Sequence, residues 1–367
     1  MKRILNKIFP KKFADYWKKI EKTENINDDL RHITNSFISS KSYKLVSNYW
    51  HVLNINNYEA LSKLGIKKYG SSIAKNYYTF TEITHDEWFD EAINKLKDNP
   101  FKIDSSEAFK KHDGLKLYES IGYNYLCYIL FYNLKKTNMF QHISKLNDKT
   151  YLGFNDPYIK IDNLNITTDK IISLLDYEKI QRAFDIKNFN RILEIGAGSG
   201  RTCEAILSIE KSLKYIICDI TPAMYISYIR LRLAFPNKKI ILLIDVNDSA
   251  ELEKQIENND IVFIFPHQLE MLNKYSLDLI LAIDCMHEMD KSTIKYYFKI
   301  FNNITKNFYF SVWDKTDVPF SKNILNQKNT LDYNSGDYKI PNNWNNIFKE
   351  KIVFPSNQIS LGFKIKN

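Results

Sequence analysis

Glycine and cysteine are both scarce in this chain, and each shortage narrows the reading. Only ten glycines occur in 367 residues, so a local cluster of them needs a reason. The four cysteines, Cys127, Cys203, Cys218 and Cys285, never stand in CxxC spacing, and three sit inside apolar segments. A disulfide framework and a cysteine metal site are therefore not expected, and a reducing, cytoplasmic setting fits best. No run is long and apolar enough to cross a membrane. The start, MKRILNKIFPKKF, is basic, but its apolar part is too short and interrupted for a secretory leader. It suits at most a short amphipathic helix making weak peripheral contact with a membrane. No tight Arg/Lys block with interleaved aromatics marks a nucleic-acid groove. The formal charge of +9 is spread over both signs and reads as a lysine-rich solvated surface.

What is present is apolar material: 44% of residues, with aromatics alone at 14%. That supplies sizeable cores for one large or two ordinary domains. Residues 1–150 read mainly as helix. KSYKLVSNYWHVLNI and NYEALSKLGIKKYG carry apolar residues three and four apart. Thr84 and Glu87 form a capping box. LKLYESIGYNYLCYILFYNLKK is a helix crowded with aromatics, among them Tyr118, Tyr125 and Tyr128. Residues 151–190 form a connecting segment with turn signals, followed by a helix that Thr168 caps and Asp169 supports in its first turn.

From Arg191 the rhythm changes. Short apolar runs (RILEIG, KYIICDI, KIILLID, DIVFIFP, LDLILAID, NFYFSVW) alternate with helical stretches, the pattern of a parallel sheet covered on both faces. Two last runs, KIVFP and ISLGFKI, have no helix between them and predict an antiparallel hairpin at the sheet edge.

LEIGAGSG then reads as strand end, tight turn and helix start, with Gly196 and Gly198 permitting the turn and Gly200 allowing close packing. Glu194 precedes the first glycine by two residues, where it would crowd a pyrophosphate but favour an ammonium. Asp219 ends the next strand at the spacing of a carboxylate that accepts ribose hydroxyls. No GK[ST] follows, which excludes a triphosphate P-loop. These features favour S-adenosylmethionine over NAD.

EIGAGSG followed by CDI is similar to the cofactor motif of class I S-adenosylmethionine-dependent methyltransferases. More narrowly, the chain resembles the sugar O-methyltransferases of bacterial surface-glycan gene clusters. The resemblance rests on YLGFNDP from Tyr151, Thr168-Asp169 before Tyr177-Glu178, LEIGAGSGR from Leu193, DITPA from Asp219 and Phe265-Pro266. It continues with LDL from Leu277, His287-Glu288-Met289, Trp313, Asp332-Tyr333 and PNNW from Pro341. Residues 145–367 carry it; the helical first part does not. Ser199 stands where the family often has an aromatic, and His287 where it often has glutamine. The resemblance implies a Rossmann-like class I methyltransferase sheet with covering helices, preceded by a mainly helical N-terminal domain, acting on a sugar or glycan hydroxyl.

Such chemistry needs an acceptor hydroxyl in line with the transferred methyl and a base for its proton. His287, following LDLILAID, is the first choice of base, with Glu288 orienting it or serving instead. Asp284 is expected to be structural or cofactor-facing. Asp314 and Tyr125 are candidates for the acceptor's hydroxyls and flat faces. The third strand is expected to deliver a side chain near the adenine amino group. LDLILAID follows DIVFIFP closely, which favours DIVFIFP and makes His267 or Gln268 the candidate, while KIILLID would put Asp245 there. A metal held by Asp245, Asp284 and Asp314 has no diagnostic spacing and is not assigned. The alternatives are a methyltransferase of another small-molecule acceptor and an NAD-dependent sugar oxidoreductase or epimerase. The latter predicts a Tyr-x-x-x-Lys pair in register, which Tyr215 and Asp219 do not supply. A non-enzymatic binding module would not need an intact cofactor motif. Amino-group methylation of nucleic acid would need an Asn/Asp-Pro-Pro-Tyr-like motif where DCMHEM stands.

Overall fold

The structure, a computed structural model, describes residues 2–66, 104–112, 115–146, 157–316, 333–334, 336–352 and 357–366. The Thr84–Glu87 capping box and the YLGFND segment lie outside the described residues. The main sheet contains β1 (Arg191–Ile195), β2 (Lys214–Cys218), β3 (Ile240–Leu242), β4 (Ile261–Ile264), β5 (Leu279–Ile283), β6 (Asn307–Trp313), β7 (Trp344–Ile352) and β8 (Gln358–Ile365). Their order across the sheet is β7-β8-β6-β5-β1-β2-β4-β3. Strands β1 to β6 run parallel, and β8 is antiparallel to both β6 and β7. This is the expected Rossmann-like sheet, mainly parallel and covered by helices, with its terminal hairpin at one edge. The DIVFIFP strand, β4, lies directly beside β2, while KIILLID supplies only the short edge strand β3.

Both faces of the central strands are buried, which is why they read as continuous apolar runs. In β1, Ile192 belongs to the core on one face and Leu193 to the core on the other. Tyr215 and Ile216 of β2 divide in the same way. One face is covered by α5 (Thr168–Ala183), α6 (Arg201–Ile209) and α7 (Ala223–Ala234). The other carries α8 (Ser249–Asn258) and α9 (Lys291–Ile304). The buried Phe263 and Phe310, one per face, each contribute about 2 kcal/mol of apolar burial.

The N-terminal region is helical, as expected: α1 (Lys2–Ile20), α2 (Asp28–Ser39), α3 (Asn48–Leu64) and α4 (Leu117–Lys135). Phe13 and Trp17 seat α1 in the apolar cluster that also contains the α5–α7 face. No described helix is long and apolar enough to cross a membrane. Polar and aromatic contacts tie this region to the helices and the β4 end of the sheet domain. Asn27 donates to the Tyr225 hydroxyl at 2.7 Å, Phe37 packs on Phe265, and Thr293 donates to the Leu45 carbonyl at 3.0 Å.

Helix α5 starts one residue earlier than the sequence suggested. Thr167, not Thr168, accepts the cap hydrogen bond, from the Lys170 N–H at 3.2 Å, and Asp169 stands in the first turn. Thr168 is instead fully helical and buried.

Candidate active site

The chain leaves β1 for β2 on one side and later returns to place β5 on the other. That switch opens a crevice beyond the carboxyl ends of β1 and β5, where open α/β sheets take their ligands. A cavity of about 410 Å³ lies there, within the range of about 300–1,000 Å³ usual for ligand sites. Its floor is the turn between β1 and α6, from Gly196 to Ser199, and its walls include Asp219, Asp284, His287 and Glu288.

The turn needs its glycines for separate reasons. Gly196, at φ +66°, would bring a Cβ to 2.6 Å from Cβ of Cys285. Gly198, at φ +58°, has nothing within 4 Å of such a Cβ, so its bare backbone faces the cavity. Its N–H donates to Oδ2 of Asp219 at 2.9 Å, while the Ile220 N–H donates to Oδ1 at 2.7 Å. Each Asp219 oxygen keeps capacity for a further donor. Burial pushes the Asp219 carboxyl up to about 7, against the opposing pull of those two N–H groups. Gly200 lies behind the turn as the N-cap of α6, against Ser227 and Leu231 of α7.

Glu194 is near the glycines in sequence but does not line the cavity. Its carboxylate accepts a hydrogen bond from the Tyr215 hydroxyl at 2.9 Å and is buried, which raises it to about 7.

One wall was not anticipated. Asp169, Asp176 and Lys179 lie on one stripe of α5, and Arg201 begins α6; all four line the cavity. Asp176 accepts from Lys179 at 2.8 Å and from Arg201 at 3.2 Å. Burial alone would raise the Asp176 carboxyl, but these two cations hold it below the usual range. Arg201 also reaches Asp284, at 3.5 Å. Asp284 is held at φ +55° at the end of β5, a left-handed conformation that Asp tolerates better than most residues, and its Oδ1 accepts from Gln358 at 2.9 Å. Burial raises Asp284 to about 6.

The segment after Asp284 carries the proton-transfer candidates. His287 is buried and stacked on Trp313, ring centroids 5.2 Å apart at 22°. Its Nδ1 has no hydrogen-bond partner. Burial lowers the imidazole to about 3, so it is neutral at physiological pH and a weak proton acceptor. Glu288 is the reverse. Burial, with Asp284 adding repulsion, pushes it up to about 8. The N-terminal region roofs this part: Ser47 caps α3 through the Trp50 N–H, donates to the Glu288 carbonyl at 3.0 Å, and lines the cavity together with Trp50.

The remaining expected residues lie elsewhere. Gln268 spends its amide on the Leu243 and Val246 carbonyls and the Phe265 N–H, and His267 pairs with Ser42; neither lines the cavity. Asp314 is bound by Lys351 at 2.8 Å, and Tyr125 packs half-buried on α4, whose one cavity-lining residue is Asn133. Asp245 accepts from Ser36 and lies 2.8 Å from His32 on the surface, away from Asp284. Among the described residues, no three His, Cys, Asp or Glu side chains are grouped to hold a metal.

The sequence matches no protein-family model, and no curated protein matches it. Solved structures match it in part. The methyltransferase domain of bacterial CtHen1 is 11% identical, covering 52% of this chain and 97% of that one, with a TM-score of 0.35. The PH0226 protein from Pyrococcus horikoshii is 10% identical over 52% of this chain and 92% of its own, with a TM-score of 0.33. The O-methyltransferase NcsB1 of neocarzinostatin biosynthesis, in complex with S-adenosyl-L-homocysteine and 1,4-dihydroxy-2-naphthoic acid, is 12% identical. It covers 55% of this chain and 57% of its own, with a TM-score of 0.35. At such scores the architecture stands on this chain's own strand order, and none of these proteins' activities transfers with it.

Proposed function

We propose that the chain is an S-adenosylmethionine-dependent O-methyltransferase acting on a sugar hydroxyl of a bacterial surface glycan or its precursor. The observation that carries the cofactor half is the pairing of Gly198 with Asp219 at the cavity floor. An exposed glycine backbone beside a buried carboxylate with acceptor capacity fits an adenosine ribose. In the same cavity the Asp169 Oδ2 lacks a hydrogen-bond donor, which suits an ammonium there better than a pyrophosphate oxygen. That favours S-adenosylmethionine over NAD. Gly196, Gly198 and Asp219 would hold the cofactor, which when bound supplies a methyl group on a sulfonium.

The chain's own part in the reaction is to orient the acceptor and take its proton. We assign the base to Glu288. A carboxylate raised to about 8 matches the proton-transfer task near neutrality far better than an imidazole lowered to about 3. His287, fixed against Trp313, becomes an orienting group. Trp313 and Trp50 line the cavity near these carboxylates, and aromatic rings beside acceptor groups suit a ligand with C–H faces and hydroxyl edges, which supports a sugar acceptor. The test is incubation with labelled S-adenosylmethionine and either extracted surface glycans or nucleotide sugars, with the product located by mass spectrometry. Label on a sugar oxygen is expected. Label only on protein or nucleic acid would overturn the sugar assignment.

A further inference from the structure

Asp169 is a buried carboxylate, 6% exposed, on the cavity wall, and its Oδ2 accepts no hydrogen bond. The Arg230 Nη1 that faces it is 3.5 Å away, and the same guanidinium is bound by Glu204 at 2.9 Å and by Ser199 at 3.1 Å. A buried anionic oxygen without a donor is costly, and the cost is removed when a ligand brings a donor or a cation. Ser199 belongs to the glycine turn, so Asp169 stands beside that turn.

Two turns along the same stripe of α5 the charge pattern changes. Asp176 gathers Lys179 and Arg201, and both cations line the cavity. An ammonium and a guanidinium have more N–H donors than these contacts consume. One wall thus offers a carboxylate oxygen without a hydrogen-bond donor at one end and a pair of cations at the other. This is the complement of a zwitterionic α-amino acid group, with its ammonium and carboxylate a few ångströms apart.

We propose that α5 and the start of α6 recognise the amino-acid end of the cofactor, Asp169 taking its ammonium and Arg201 with Lys179 its carboxylate. Glu194 is then a buried partner of Tyr215 rather than a ligand-binding group. The proposal rests on reading the cavity as an S-adenosylmethionine site, and it goes further by dividing that cavity into an adenosine end at Asp219 and an amino-acid end at Asp169.

Titration calorimetry on the full chain tests it with three ligands. These are S-adenosylhomocysteine, its analogue lacking only the amino group, and 5′-methylthioadenosine, which lacks the amino-acid end. The native chain should bind S-adenosylhomocysteine about tenfold or more tightly than the desamino analogue, the scale of one hydrogen bond to a charged group. Asp169→Asn should erase that difference while leaving 5′-methylthioadenosine affinity unchanged. Equal binding of the first two ligands by the native chain would overturn the proposal, whether or not the variant folds. So would an equal loss for all three in Asp169→Asn, which would mark Asp169 as structural. Failure of the native chain to bind any of the three would instead overturn the cofactor reading, and the division of the cavity with it.

Discussion

The N–H of Gly198 reaches Oδ2 of Asp219 across 2.9 Å, joining the floor of the cavity to the end of the neighbouring strand. That bond holds the carboxylate in place before any ligand arrives. It also ties affinity to pH, because burial raises Asp219 to about 7 and only the ionised form can accept from both ribose hydroxyls at full strength. Affinity for S-adenosylhomocysteine should therefore fall as pH drops from 8 to 6. Asp219→Ala should weaken binding about tenfold or more at pH 8, the cost of leaving polar ligand groups unpaired, and should flatten the pH dependence. Calorimetry across that range checks both points.

The two glycines of the turn predict different failures. Gly196→Ala places a methyl at 2.6 Å from Cβ of Cys285 in a left-handed conformation, so it should cost stability by about 2–4 kcal/mol, overpacking added to backbone strain. Gly198→Ala meets no atom within 4 Å. It should cost only the strain, about 1–2 kcal/mol, yet its methyl would enter the cavity and impair ligand binding. Thermal melting separates the first from the second, and calorimetry on the folded Gly198→Ala protein completes the contrast.

The strands that were plain in the sequence are those buried on both faces. The edge strand β7 was read only as KIVFP, whereas it begins at Trp344. Its residues Asn345, Asn346, Lys349 and Lys351 are exposed, and an exposed edge strand has no reason to be apolar. The glycine turn was legible because bare backbone is a rare requirement in so glycine-poor a chain. The charged stripe of α5 was not, since Asp176 and Lys179 on a helix read as solvated until the packing of that helix is known. Strand parity could have placed Glu194: it shares a face with Ile192, beneath α6, rather than pointing along the strand into the crevice. Trp50 and Ser47 were hidden for another reason, because only the tertiary docking of α3 brings them to Glu288.

The buried position of Glu194 has a consequence for stability. Its carboxyl is raised to about 7, chiefly by burial, above its unfolded value near 4.5. The folded chain therefore binds a proton more tightly than the unfolded one. The associated stabilisation is fully present below pH 4.5 and is lost as pH rises through 7. Asp219 and Asp284, also raised, act in the same direction. Without ligand, the protein should melt at a lower temperature at pH 8 than at pH 6. Glu194→Gln keeps an acceptor for the Tyr215 hydroxyl and removes the charge. It should narrow that difference and raise the melting temperature at pH 8.

His287 and Glu288 are neighbours in sequence, yet burial drives their proton affinities apart, to about 3 and about 8. At pH 7.5 the imidazole is already neutral, but its conjugate acid is too strong for it to hold a transferred proton well. Glu288 is partly protonated in that range and becomes a competent acceptor as pH rises. If Glu288 takes the acceptor's proton, turnover should climb through about pH 8. Glu288→Gln should lower kcat by a factor of about 10² or more, the scale of lost general-base catalysis, and abolish that rise. His287→Gln should leave the pH profile in place and change kcat by less than about tenfold, because an amide can still orient an acceptor through hydrogen bonds. Single-turnover kinetics at saturating cofactor, with the acceptor identified by the labelling experiment, would distinguish the two. A severe loss in His287→Gln with Glu288→Gln nearly intact would return the proton to the imidazole. It would also mean that acceptor binding raises the His287 pKa by several units, which NMR titration of the ring in the presence of acceptor would reveal.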